Sequence, residues 1–359
     1  MKSNISVTTL ACAGKCLDTT VKIISDNVLI YFRTSVSIVL SILVSVVGVI
    51  ANVFNIIVYY KQGFKDSVNI TFMALSVWDL AICFLSGVTA VLFVIEVYFP
   101  IPNYNVGSIG FVYVAYTRAL MYILSTLTTV YLSCERCLCV LTPLKIKDIF
   151  TRPRTILVNV AIIMLGVASI SPAWATQRTH WLFNPTNNIT QLVLWLSANR
   201  RDIDLFIGTL TGMLSPIAAQ VIITISSGFM IHGINKSSKF RNTTNLERSR
   251  KTYNSKNESK IAGTTFHKTM NMMTNNELKL TIVVVLLTII FFVCNLPLVM
   301  NVFVRVFFPE VDIGKPQENL YELLYSLVFQ CVLVKSTVNI FVYYYASSRY
   351  RRDFLSLYC

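Results

Sequence analysis

The sequence predicts an all-α membrane protein, a seven-transmembrane helix bundle with a short amphipathic eighth helix. Three observations carry that prediction. The chain has 359 residues, of which 54% are hydrophobic and 13% charged, about half the charge fraction of an ordinary soluble domain; its mean hydropathy is +0.61. Seven stretches are long and charge-poor enough to cross the roughly 30 Å of bilayer hydrocarbon, which takes about 20 apolar residues of helix. The basic residues gather on one set of connecting segments, the asymmetry that orients a membrane protein.

The spans follow in order. Residues 34–60 carry no charge, and 67–96 carry Asp79 and end on Glu96. The third, 107–141, is interrupted by Arg118 and, near its end, by Glu135-Arg136, and rests partly on its motif. Residues 155–177 and 205–235 carry none, and 279–304 carry none after Lys279. The last, 321–346, holds Lys335 in its interior. Residues 349–359 follow as the eighth helix and C-terminus. The segment 236–278 is rich in Ser, Thr, Asn and Lys and is expected to be a largely disordered loop. In 175–204, two apolar runs, Trp181-Leu182-Phe183 and Leu192-Val193-Leu194-Trp195, flank a turn cluster at 184–188. That pattern suits a hairpin lid, or an apolar loop resting on the membrane. No internal repeat is visible, so a transporter built from duplicated halves lacks its usual mark.

With the amino terminus outside, the inner segments hold 19 basic residues against nine outside, where nine acids also lie. The net charge of +14 thus sits at the cytoplasmic surface, against anionic lipid and partner proteins, and does not indicate nucleic acid. The expected location is the plasma membrane, multi-pass, with residues 1–33 extracellular. Lys2 and residues 5–13 imitate a secretory leader, but Asn4, Ser6, Thr8 and Thr9 make its core too polar; the first span is expected to act as its own anchor. Asn4 and Asn188 open glycosylation sequons on the outside. Asn242 and Asn257 match the pattern but fall inside. Cys12 and Cys16 are placed to pair or to remain free. Cys83, Cys134, Cys294 and Cys331 read as packing residues, and Cys359, beside the membrane, as a palmitoylation candidate. His180, His232 and His267 are scattered, with no metal spacing, and no cofactor or enzymatic constellation is visible.

The helices carry motifs. The third ends Glu135-Arg136-Cys137-Leu138-Cys139-Val140-Leu141-Thr142-Pro143-Leu144. The first has Gly48-Val49-Ile50-Ala51-Asn52, the second Leu75-Ser76-Val77-Trp78-Asp79-Leu80, the fifth Pro216 and the sixth Cys294-Asn295-Leu296-Pro297. The seventh ends Asn339-Ile340-Phe341-Val342-Tyr343, followed by Arg349-Tyr350-Arg351-Arg352-Asp353-Phe354. Proline within a membrane helix removes a hydrogen bond and makes a kink that serves as a pivot. Together these resemble the rhodopsin-like G-protein-coupled receptors over nearly the whole chain, about 34–354. The details are similar to gastropod mollusc chemosensory receptors and to invertebrate neuropeptide receptors. The chain departs from the family where Cys137 replaces the aromatic, Asn295 the usual Trp and Ile340 the usual Pro. Ile162 or a neighbour replaces the Trp of span four. Phe111 stands at the outer disulfide cysteine, and 175–204 has no partner cysteine.

The resemblance implies an extracellular small-molecule or peptide ligand and a heterotrimeric G protein as partners, with membrane lipid and no nucleic acid. It assigns activation and coupling to Glu135, Arg136, Pro143, Pro216, Asn295, Pro297, Asn339 and Tyr343. Asp79 corresponds to the acid of the family's sodium site, with Asn52, Ser125 and Asn339 as neighbours. Lys335 lies one turn before Asn339 on the same face, to pair with Asp79 in place of sodium or to reach water in an internal cavity. Arg118 is about five turns before Arg136, at a level where the family often contacts ligand. A guanidinium there favours a carboxylate, or it pairs internally with Glu96 or Glu322. Tyr113, Tyr122, Asn301, Arg305, Tyr325 and Phe329 complete the expected ligand site. An opsin is disfavoured because the retinal lysine's position holds Leu333, with Lys335 out of register.

Overall fold

The computed structural model describes residues 22–142, 146–185, 188–254, 275–312 and 315–357. Asn4, Cys12, Cys16, Pro143 and Cys359, singled out in the sequence, lie outside them. Among the described residues, seven helices are long and apolar enough to cross a membrane: α1 Asp26–Gln62, α2 Ser67–Tyr98, α3 Val106–Leu141, α4 Arg152–Ala175, α5 Arg200–Asn235, α6 Leu278–Phe307 and α7 Glu318–Ala346. A short α8, Ser348–Leu355, follows. Between α4 and α5 lies an antiparallel hairpin of β1 Gln177–Asn184 and β2 Ile189–Leu196, in register from Gln177 opposite Leu196 to Asn184 opposite Ile189.

The helices outrun the charge-free windows because backbone chemistry, not charge, ends them. Gly63 closes α1 at φ 76°, a left-handed conformation that costs glycine least. Asn105 caps α3 by accepting from Ser108 N–H at 2.8 Å. Pro153 sits in the first turn of α4, where its missing N–H costs nothing. The expected disordered loop at 236–278 is corrected in part: helix continues from α5 to Asn254 and begins again at Asn275. The stretch 236–254 is polar but contains neither Gly nor Pro, so no residue interrupts the backbone ladder.

Three helices widen to π geometry toward the hairpin end of the bundle, at Arg33–Leu40, Gly110–Ala115 and Gly208–Leu214. The last stops at Ser215, beside Pro216. Proline cannot donate and crowds the preceding turn, and a widened turn relieves both. The opposite end of the bundle packs an aromatic cluster in which Tyr59, Phe72, Tyr343 and Tyr350 meet at 5.2–5.6 Å between ring centroids. Large apolar side chains on the outer faces of α1, α4 and α6 stay exposed, among them Val47, Ile50, Leu157, Met164, Leu165 and Val293. Such a belt is stable only against lipid. Gly48 allows α1 to approach α2 and α7: a Cβ there would lie 2.5 Å from Cys83 Sγ and 2.6 Å from Thr337 Oγ1.

Candidate functional site

Helices α3, α5, α6 and α7 splay at the hairpin end around a cavity of about 990 Å³. Arg118, Tyr122, Asn301, Arg305, Tyr325 and Phe329 line it. Tyr113 does not; it is exposed, and its hydroxyl shares a 3.2 Å hydrogen bond with Thr179 of β1. The Arg118 guanidinium lies over the Phe329 ring at 3.7 Å. Among the described residues no carboxylate comes within 4.0 Å of it: Glu322 pairs with Arg33 at 3.3 Å, and Glu96 is exposed. Stacking occupies the flat face of a guanidinium and leaves its in-plane N–H groups able to grip an anion. Tyr321, Tyr325 and Phe329 stand on successive turns of α7 and touch in series, with centroids 5.7 and 4.6 Å apart. Near the mouth, Arg305 is held by both oxygens of Asp312 at 3.0 Å. The Asn301 side-chain oxygen is buried without a partner among the described residues.

The cavity floor is a polar bridge across three helices. Tyr122 of α3 donates to Asn295 Oδ1 of α6 at 2.7 Å, and Asn295 donates to Gln220 Oε1 of α5 at 3.3 Å. The bridge lies two residues before the α6 proline, Pro297.

Deeper in the bundle, Asp79 is fully buried. It accepts from Ser125 at 2.8 Å, Ser336 at 2.9 Å and Asn339 at 2.7 Å. Lys335 Nζ donates to Ser125 Oγ at 2.6 Å and lies 3.7 Å from Asp79 Oδ1, so one hydroxyl relays between ammonium and carboxylate. Asn52 donates to the carbonyls of Gly48 and Ser336, Asn55 donates to Asn52, and Tyr350 of α8 donates to Asn55 at 2.6 Å. Burial pushes the Tyr350 phenol above its usual value, which keeps it protonated and donating. An unbroken chain of polar contacts therefore joins the mid-bundle lysine to α8.

A second cavity, of about 680 Å³, opens at the α8 end. Glu135, Arg136 and Tyr343 line it, with Lys65, Arg152, Lys279 and Arg349 around them. Arg136 pairs with Glu135 at 3.1 Å, and Ser67 donates to the same carboxylate oxygen at 2.6 Å. Glu135 Oε2 and Arg136 Nε are buried without partners among the described residues. A buried pair left half satisfied is costly to keep and easily rearranged.

Sequence reasoning passed over the groups that complete these arrangements. Asn55 was legible as a second amide one turn from Asn52, and Ser336 as the hydroxyl beside Lys335. Gln220 carries no local signal. Neither does Arg200, which proves to be the hub of the hairpin end. It is 4% exposed and donates to Asp204 at 2.7 Å, Tyr116 at 2.6 Å, Gln177 at 3.0 Å, Thr176 at 3.3 Å and the Ala173 carbonyl at 3.0 Å. Gln177 in turn donates to the Val112 carbonyl of α3 at 2.8 Å. Among the described residues no group of three or more His, Cys, Asp or Glu side chains is disposed to hold a metal ion.

The family model for seven-transmembrane receptors of the rhodopsin family matches residues 29–343 of the chain. No curated protein matches it.

Proposed function

The chain belongs to the rhodopsin family of seven-transmembrane receptors, multi-pass proteins of the plasma membrane, and we propose that it couples an extracellular ligand bearing an acidic group to a heterotrimeric G protein. In this reading the hairpin end faces outward and the α8 end faces the cytoplasm. The basic rim of the α8-end cavity supports that orientation, since Lys and Arg concentrate on the cytoplasmic side. So does Asn188, exposed at the hairpin tip with φ 52° and open to glycosylation. The ligand is a chemosensory cue or a neuropeptide.

The observation that carries the ligand class is Arg118, a cation inside the outer cavity with an aromatic ring beneath it and, among the described residues, no carboxylate beside it. Tyr122, Asn301, Arg305, Tyr325 and Phe329 form the walls against which such a ligand rests. Binding shifts a population toward a state in which α6 leaves α5 and α3 at the cytoplasmic end. The ties that yield for that motion include the Asn295 bridge, the Gln220 hydrogen bond to the Phe292 carbonyl at 3.4 Å, the Ser227–Thr288 hydrogen bond at 2.8 Å, and the Lys279–Ser348 hydrogen bond at 3.1 Å. Pro216 and Pro297 supply the pivots. Asn339 and Tyr343 transmit the shift along α7, and Arg136, freed from Glu135, meets the G protein.

The test is signalling in cells carrying chimeric G proteins, challenged with a panel of organic acids, amino acids and peptides. An acidic agonist is expected, with Arg118→Ala lowering its potency about tenfold to a hundredfold at equal surface level, the worth of a charge-assisted hydrogen bond. An unchanged potency would remove Arg118 from the ligand site.

A further inference from the structure

We infer that the outer cavity takes the free carboxy-terminal end of an extended peptide, inserted carboxylate first, with its last three or four residues laid along α7. The inference rests on the receptor reading above and names the ligand that reading leaves open.

The charges set the direction. Near the mouth, Arg305 is neutralised by Asp312, while Arg201 is exposed to water and shares the lining with Asp202. Asp204 is taken by Arg200 and Tyr116. Arg118, a turn above the Tyr122 floor, has no carboxylate beside it among the described residues. A ligand with one negative end is therefore drawn in by that end, and a forked guanidinium fits a carboxylate through two N–H groups.

The walls set the length. The aromatic series Tyr321, Tyr325 and Phe329 runs from beneath Arg305 to beneath Arg118. Eight residues of helix rise about 12 Å, the reach of three to four residues of extended chain at about 3.3–3.6 Å each. A single small acid would cover one rung of that series. The cavity, about 990 Å³, stands at the upper end of the roughly 300–1,000 Å³ range of small-ligand sites. The buried Asn301 oxygen without a partner among the described residues needs an N–H donor, and a peptide backbone brings one at every residue.

The experiment uses the purified full-length chain in lipid nanodiscs. The probes are a library of N-acetylated tetrapeptides ending in a free carboxylate, the same library ending in a carboxamide, and N-acetylphenylalanine as a one-residue acid. Retention is read by mass spectrometry. Free acids with apolar or aromatic final residues are expected to be retained about tenfold to a hundredfold better than their amides, and N-acetylphenylalanine less than the best tetrapeptides. Arg118→Gln should erase the preference for acids; Arg118→Lys, which keeps charge but not the fork, should retain part of it and guards against a misfolded Gln variant. Equal retention of acids and amides, or of neither library, overturns the inference while the signalling test above still judges the receptor reading. N-acetylphenylalanine binding as well as any tetrapeptide overturns the peptide and leaves Arg118 as the anchor of a small acid. A preference for acids that survives undiminished in both Arg118 variants removes Arg118 as the anchor and overturns the inference.

Discussion

The Lys335 ammonium shows what one side chain does in the middle of this bundle. It is 5% exposed and meets a fully buried carboxylate, Asp79, through Ser125. Isolated, either charge would be expensive at that depth; together, with Ser336 and Asn339 satisfying the carboxylate, they form a closed polar site. Removing one partner of a buried pair costs about 3–5 kcal/mol. Lys335→Met is therefore expected to lower the melting temperature of the purified receptor and its surface level, with Lys335→Met combined with Asp79→Asn recovering much of both. A single variant as stable as the parent would show that the pair contributes nothing. Asn295 acts at the same scale on a different equilibrium. Its two side-chain hydrogen bonds hold α6 to α3 and α5, each worth about 1 kcal/mol. Asn295→Leu should raise ligand-independent signalling per surface receptor about fivefold to tenfold; an unchanged basal level would mean that the bridge does not restrain α6.

At the scale of elements, the hairpin is held to the bundle by hydrogen bonds. The Arg200 guanidinium, itself buried, joins the end of α4, the start of β1, α3 and α5 in one cluster. On the other side, Leu192 of β2 exchanges backbone hydrogen bonds with the residues just before α3, donating to Asn103 at 2.9 Å and accepting from Asn105 at 3.2 Å. Phe111, at the position where the sequence lacks the expected cysteine, lies 5.7 Å from the same guanidinium. Arg200→Ala should speed amide hydrogen exchange across 177–196 and lower the melting temperature, at about 3–5 kcal/mol for a broken buried network. Dithiothreitol, by contrast, should leave the exchange of those strands in the parent protein unchanged. If Arg200→Ala left the strands as protected as before, the clamp would lie elsewhere.

At the scale of the whole molecule, the described residues place a cavity at each end of one bundle, with a polar site between them. Among the described residues, the hairpin-end cavity holds in its depth a cation with no carboxylate beside it, Arg118, and the α8-end cavity has a basic rim around the Glu135–Arg136 pair. Binding and output should then be separable. Arg136→Ala is expected to abolish signalling at equal surface level while leaving the selective retention of acidic probes by the purified protein intact. Loss of both together would mean that Arg136 holds the fold and does not serve the output.

Composition, the seven charge-poor windows and the Lys and Arg asymmetry determined that this chain is a membrane bundle, because the cost of charge in hydrocarbon is paid residue by residue and leaves its mark locally. The resemblance brought Asp79 and Asn339 into view, and spacing added Lys335, since residues one turn apart on α7 share a face whatever surrounds them. Tertiary structure alone decided the rest. It gave Glu322 to Arg33 at 3.3 Å and not to Arg118, and it tied the Tyr122 hydroxyl to Asn295 at 2.7 Å on another helix. Arg200 has no local signal in the sequence and is the hub of four elements. Which partner a polar group finds across a bundle is set by helix rotation and depth, and those follow from packing summed over the whole molecule, not from any short stretch of chain.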